Sequence, residues 1–424
     1  MVNTDTRSDR PARRGTPIPG TSSARGVPNL ATRSQEHIND NPLMPPIVDG
    51  KAVFDLDSGK YLKLWQGPQH PGITGNMSLE LVVCGDEIVE CKTHVGYLHR
   101  GFEKLMERRS YIQCFPIVCR IAVPEPDFNE YLFAATVEEI QGIEVPERAQ
   151  WIRTLNLEMA RLASFFMWMG GMAGAFGLGT QGQWTVTMRD YILDRFEELT
   201  GGRIYHMYMI PGGVRGDFPE GFTDRLRETI DTCEKTLQDV ERTLFNNAVF
   251  KKRAKGLGVI HPDIVDQFGI VGPNARAAGF ARDVRKDHPY LVYDQLDFEV
   301  VTHTDSDAYA RAWVRLQEMY QSMDLIRQIL DRMPAEGPFF TKLPNVLHWN
   351  VKPGHIYKKA ECTRGEYGYY LNSDGSDKPR RIYVRGPSYT HAVSLMEHLS
   401  IGCNIADTAG LMVSLHTYPP EVER

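Results

Sequence analysis

The sequence predicts an α+β fold, a bundle of long helices with a small antiparallel β layer beside its N-terminal side. Three observations carry this. Apolar residues step by three and four through Ile152, Leu155, Met159, Leu162, Phe166 and Met169, and again through Ala312, Leu316, Met319, Met323, Ile326, Leu330 and Met333, the seam of packed helices. Leu79, Leu81 and Val83 alternate with Ser78 and Glu80 before Gly85-Asp86 turns the chain into Glu87–Cys91, a β-hairpin. Gly365–Tyr370 and Arg381–Val384 flank Asp374-Gly375, a second hairpin by turn chemistry.

Taken in order, residues 1–45 are Arg, Pro, Ser, Thr and Gly with scarcely an apolar pair. Such a segment cannot bury enough surface to offset the entropy of ordering, so it reads as a disordered tail ahead of a domain over 46–424. In His94–Arg120, Phe102, Leu105 and Met106 recur at helical spacing among charged residues, and Pro116 is expected to close that helix. Its entry through His99-Arg100-Gly101 points two side chains at whatever lies at its start.

Pro146–Gln150 opens a long helix expected to bury one face against a partner helix. Leu162 to Met188 holds no charged residue, long enough for a membrane span. Yet Gly170, Gly171, Gly174, Gly177, Gly179, Gly182, Gln181, Gln183 and three threonines break it, so it reads as a tightly packed core segment. A helix over about 189–200 stops at Gly201-Gly202. Long helices follow at about 221–248 and 306–333, with loops and short strands expected over 279–298.

With 424 residues, 42% hydrophobic and 24% charged, the chain can bury a large core. A net charge of -6 and the lack of a dense basic run exclude a nucleic-acid binder that needs a basic face. The seven cysteines form no C-x-x-C pair, which argues against a disulfide framework or a zinc or iron-sulfur ligand set and for a reducing cytoplasm. No apolar run follows the N-terminal charges, so no secretory signal is expected.

The run G-Y-L-H-R-G-x-E-K-L over 96–105, followed by Tyr111-x-Gln113 and Arg120, closely resembles the D subunit of NADH-quinone oxidoreductase, respiratory complex I. So do Gly67–Pro71 (G-P-Q-H-P), Gly142–Arg153, Gly201–Tyr205 and Pro211–Val214. The likeness runs from about Gly67 to Arg424. It implies the fold of the large subunit of nickel-iron hydrogenases. It further implies a membrane-associated translocase on the cytoplasmic side of the cell membrane that couples electron transfer from NADH to ion translocation. The implied partners are the B, C and H subunits, B carrying the terminal iron-sulfur cluster, and membrane contact runs through them. Quinone is the implied substrate, NAD binding belongs to the assembly, and this chain alone carries no cofactor and no activity.

By the same resemblance, His70, Thr74, Tyr111, Val123 and Ala175 are the quinone-pocket candidates, and His99, Arg100, Arg120, Tyr205 face the partner's cluster. Arg203 also stands where the family has it. Several positions depart from the family: Thr74 replaces its headgroup histidine, Val123 its tyrosine, Ala175 the aspartate behind that histidine, Cys119 another aspartate, and Tyr205 a histidine near the cluster. The two C-x-x-C pairs that hold nickel in hydrogenases are absent, so no metal site is expected. Threonine, valine and alanine do not titrate, which leaves His70 and Tyr205 as alternative proton donors. Two classes stay open: a quinone-reductase subunit, or a scaffold or coupling subunit of a complex-I-like or hydrogenase-related assembly with a non-standard electron acceptor.

Overall fold

The computed structural model describes residues 43, 45, 47–48, 51–69, 77–343 and 349–424. His70, Thr74 and all of the expected tail except residues 43 and 45 lie outside them. The predicted hairpin forms, and a further strand joins it: β1 (Leu62–Gln66), β2 (Ser78–Cys84) and β3 (Glu87–His94) make an antiparallel sheet in sequence order. Leu79, Leu81, Val83 and Ile88 enter the main core, while Val82 and Val89 pack with Tyr61 in a separate small cluster. The sheet is tied to the far end of the chain, where the Ile88 N–H donates to the Cys403 carbonyl at 2.9 Å and Thr93 donates twice to Glu397 at 2.7 Å.

Where one helix ending at Pro116 was expected there are two, α1 (Phe102–Met106) and α2 (Tyr111–Val118), with Pro116 inside the second. The deciding signal is Ser110-x-x-Gln113, a reciprocal capping box that starts a new helix. A proline breaks a helix by removing one hydrogen bond and crowding the preceding turn. Here α2 ends only two residues later, and the Pro116 carbonyl is used by the Arg120 side chain.

α3 (Pro126–Gln141) begins with proline in its first turn and ends at Gly142, whose φ of 71° suits a left-handed cap. α4 (Glu147–Ala175) then crosses the centre of the molecule. Its predicted apolar stripe is there, but the helix is buried almost all round, including Arg153, Glu158 and Arg161. A one-face pattern misses this because those charges are paired inside the protein. Arg153 forks onto Glu138 at 2.6 and 3.0 Å, for example.

α5 (Gly179–Thr200) starts ahead of the expected Arg189 and stops at Gly201 as predicted. The segment 162–188 is therefore the end of α4, a turn, and the start of α5. Its glycines let the two helices approach: a Cβ on Gly182 would stand 3.0 Å from the Gly170 carbonyl oxygen. Among the described residues no helix is long and apolar enough to cross a membrane. Gly182→Val is expected to force the pair apart and cost about 1–3 kcal/mol, read as a lower Tm of the purified assembly. An unchanged Tm would show that the contact is slack.

α6 (Phe222–Val240) and α7 (Ala308–Arg332) match the two later long helices. The region 279–298 holds short helical turns at Val284–Asp287 and Tyr293–Gln295 in place of the expected strands. The second hairpin is also three-stranded, β4 (Gly354–Cys362), β5 (Gly365–Ser373) and β6 (Arg381–Arg385), with Arg381 opposite Asn372. α8 (Thr408–Leu415) packs on α4, and α9 (Pro419–Glu423) closes the described chain.

Candidate functional site

Gly96 (φ 124°) and Gly101 (φ 62°) let the loop after β3 turn sharply into α1. Glu423 pins that loop from the other end of the sequence. Its carboxylate accepts the Gly96 N–H at 2.7 Å and the Leu98 N–H at 2.5 Å, and its carbonyl pairs with His99 Nδ1 at 2.5 Å. Nδ1 is therefore the donor, since a carbonyl only accepts.

Next to His99, the Arg100 guanidinium donates to the Arg120 carbonyl at 3.0 Å and lies 4.4 Å over the Phe102 ring. Arg120 donates to the Pro116 carbonyl at 2.6 Å and to Cys119 Sγ at 3.2 Å, and lies 4.6 Å over the ring of Tyr205. Tyr205 is held at a left-handed φ of 62°, which for a non-glycine residue has to be imposed by its surroundings. The structure thus brings Arg100, Arg120 and Tyr205 into contact, with His99 next in the chain. Among the described residues, no carboxylate forms an ion pair with either guanidinium. Two adjacent unpaired cations suit an anionic neighbour. Arg203, by contrast, is spent on Asp194 at 2.5 Å, Glu197 at 2.9 Å and Asp190, stapling its loop to α5.

A narrow cleft lies beside this cluster, lined among others by Val123, Asp127, Ala160, Arg189, Phe196 and His206. The His206 ring stacks on Phe196 with centroids 4.0 Å apart. Its Nδ1 is 2.9 and 3.1 Å from the Asp127 oxygens, and Asn156 donates to the same carboxylate at 2.9 Å. One turn along α3, Glu130 accepts the backbone N–H groups of Met207 at 2.6 Å and Tyr208 at 2.9 Å. Burial disfavours the imidazolium of His206, but the Asp127 charge and hydrogen bond, with Glu130 behind, outweigh it and raise the pKa. Burial, then the Asp127 charge, pushes the Glu130 carboxyl up to about 8.

Of the predicted pocket residues that are described, Tyr111, Val123 and Ala175, only Val123 lines this cleft. Tyr111 is buried against Trp349, ring centroids 6.4 Å apart, and burial pushes its hydroxyl up to about 12. Ala175 is half-buried on α4, roughly 18 Å along the helix from Ala163 at the cleft. Burial likewise pushes the Cys119 thiol up to about 12, so it is a neutral group and no thiolate ligand. Asp127, Glu130 and His206 escaped the sequence reading. The available signals were a histidine directly after Tyr205 and two acids one helical turn apart just beyond Arg120.

Residues 175–424 match the family described as the respiratory-chain NADH dehydrogenase 49 kDa subunit. The D subunit of NADH-quinone oxidoreductase from Thermosipho melanesiensis is 43% identical over 365 residues, 86% of this chain and 99% of the relative. The D subunit of F(420)H(2) dehydrogenase from Methanosarcina mazei is 38% identical over 363 residues, 84% of this chain and 96% of the relative. A chain of an archaeal respiratory membrane complex, the membrane-bound sulfane sulfur reductase, superposes with a TM-score of 0.85 at 42% identity, covering 88% of this chain and all of that one. The α+β fold is the one the motifs predicted, and the chain belongs to the family of the D, or 49 kDa, subunit of the respiratory-chain NADH dehydrogenases.

Proposed function

We propose that this chain forms the electron-acceptor site of a membrane-associated, multi-subunit oxidoreductase of the complex I type. One observation carries the reading: Arg100 and Arg120, in contact and without a carboxylate partner among the described residues, with Arg120 over Tyr205 beside the Val123 cleft. A reduced cluster is more negative than an oxidised one, so two fixed cations favour its reduction. In this account an iron-sulfur B-type partner docks on that face, with C- and H-type partners completing the assembly. The chain is peripheral on the cytoplasmic side, inactive alone, and couples electron flow from NADH to ion translocation. Quinone is the acceptor.

A second reading has its own support. Val123 and Ala175 carry no proton where the family has protic side chains, and a 42% identical neighbour belongs to a sulfane sulfur reductase. On that reading the acceptor is a sulfane sulfur, and the electron source can be a reduced carrier other than NADH.

The test is to purify the tagged complex from membranes, identify its subunits by mass spectrometry, and assay reduction of a short-chain quinone and of polysulfide. Quinone reduction by a complex holding NADH-oxidising subunits supports the first reading. Reduction of polysulfide alone supports the second. Purification without any iron-sulfur partner overturns both.

A further inference from the structure

We propose that His206, held by Asp127, is the proton donor of this acceptor site, replacing the protic side chains absent at Val123 and Ala175. The inference rests on the reading that the cleft beside Arg120 serves an electron acceptor.

Two buried side-chain nitrogens at this cleft have no well-formed hydrogen bond among the described residues. His206 is 4% exposed, its Nδ1 is taken by Asp127, and its Nε2 makes no well-formed hydrogen bond among the described residues, the Arg203 backbone carbonyl being the acceptor that approaches the ring. Arg189 lines the same cleft, and its Nε is buried and unpartnered too. Buried donors are almost always satisfied, and an unsatisfied one costs about 1–3 kcal/mol. Two at one cleft, next to a redox-facing arginine cluster, point to an occupant that accepts hydrogen bonds. The cleft has room for about one water molecule, so the proton reaches a larger acceptor through that water or at the cleft mouth.

The surroundings supply the chemistry of a donor. From α3, Asp127 holds Nδ1–H and leaves Nε2 as the exchanging nitrogen, with Glu130 one turn behind. From α4, Asn156 holds the Asp127 carboxylate. From α5, Phe196 fixes the ring plane and Arg189 opposes a second positive charge. Of the loop arginines, Arg203 is neutralised by three acids on α5, and Arg215 donates to the His206 carbonyl at 3.2 Å. Cys119 is a neutral thiol. The Asp127 charge and hydrogen bond, with a smaller part from Glu130, outweigh burial and hold the imidazole protonated further up the pH scale than usual.

In the step itself, the acceptor takes two electrons, one at a time, from the partner's iron-sulfur cluster. Charge develops on an oxygen if the acceptor is a quinone, or on the departing sulfur as an S–S bond breaks if it is a sulfane. The Nε2–H bond breaks and an O–H or S–H bond forms. The imidazolium becomes neutral imidazole, kept as the Nδ1–H tautomer by Asp127, and is protonated again from solvent. The second proton of a quinol also comes from solvent.

The experiment uses the intact complex purified from membranes, with a short-chain quinone and polysulfide as separate probes. Rates are followed against pH, and cluster reduction is recorded by electron paramagnetic resonance. The donor form exists below the histidine pKa, so the wild-type rate should fall as pH rises through it. Asp127→Asn keeps an oxygen for both hydrogen bonds but removes the charge, so this alkaline fall should move to lower pH. His206→Gln should lower the rate about 10²-fold and erase the fall, with the cluster reduced as in wild type. An unmoved fall in Asp127→Asn, or a wild-type rate and profile in His206→Gln, overturns the proposal. If His206→Gln does not assemble, the Asp127→Asn profile decides. A wild-type complex whose cluster reduces but which acts on neither probe overturns the acceptor-site reading itself, and the probe that is reduced identifies the acceptor.

Discussion

Glu158→Ala should destabilise the protein by about 3–5 kcal/mol, the usual cost of leaving buried charges unpaired. Glu158 lies fully buried at the middle of α4. One of its oxygens accepts the Tyr293 hydroxyl at 2.6 Å and the Arg161 Nε at 3.2 Å, with Arg285 at 3.5 Å. The other accepts the Ser322 hydroxyl at 2.7 Å. Removing the carboxylate leaves Arg161 in the core with no carboxylate partner among the described residues, while Arg285 keeps Asp283 at 2.8 Å. Glu158→Gln, which keeps the shape and the hydroxyl partners, should lose less. Thermal unfolding of the purified assembly checks both, and equal losses would mean that the charge is immaterial.

The same site sets a pH dependence. Burial opposes the charged carboxyl, but Arg161 and Arg285, with the Tyr293 and Ser322 hydroxyls, outweigh it and hold the Glu158 pKa below the usual range. A lowered carboxyl pKa adds stability that is full above the ordinary carboxylate value and is lost as pH falls through the lowered one. Glu158→Gln should therefore flatten the acid limb of stability.

The second large effect is expected at Glu423. Its two oxygens hold the Gly96 and Leu98 N–H groups, and its carbonyl holds His99. Glu421 beside it is anchored by Arg364 at 2.8 Å and by the Ser388 N–H at 2.7 Å, so α9 is a fixed post for the loop. Each charge-assisted bond is worth about 1.5–3 kcal/mol. Glu423→Ala should leave the fold and the backbone carbonyl that holds His99 intact but remove both carboxylate bonds, loosening the Gly96–Leu98 turn that carries His99 and Arg100 and slowing acceptor reduction about 10²-fold. Glu423→Gln can still accept with one oxygen and should recover part of the rate. Wild-type turnover in Glu423→Ala would mean that the loop holds its shape without this post.

The sequence disclosed those parts of the site that sit in contiguous motifs. His99, Arg100 and Arg120 fall within one stretch, and the glycine turn ahead of α1 dictates where the first two point. Tyr205 follows from the glycine-bounded run after α5. What escaped depends on pairing between distant segments. His206 finds Asp127 across 79 positions, and Arg161 reaches the Glu361 carbonyl across 200. Periodicity in a window of about 18 residues cannot register such partners.

The helix ends show the same limit. Glycine-rich residues before Arg189 read as helix-breaking by propensity, yet close packing against Gly170 makes them the first turns of α5. Pro116 reads as a stop, yet Ser110 and Gln113 had already started a fresh helix around it. β4 escaped because its G-H-I-Y-K-K-A-E-C run alternates weakly and is paired by β5.

Whether the Arg100–Arg120 face lies over a partner's iron-sulfur cluster is tested most directly by a redox titration of that cluster in the purified complex. The comparison is between wild type and the double variant Arg100→Met, Arg120→Met. Removing two positive charges should lower the midpoint potential by on the order of 100 mV, the Coulomb effect of two unit charges at roughly 12 Å in an effective dielectric of about 20. An unchanged potential in an assembled complex would contradict this placement, because the cluster would then lie elsewhere.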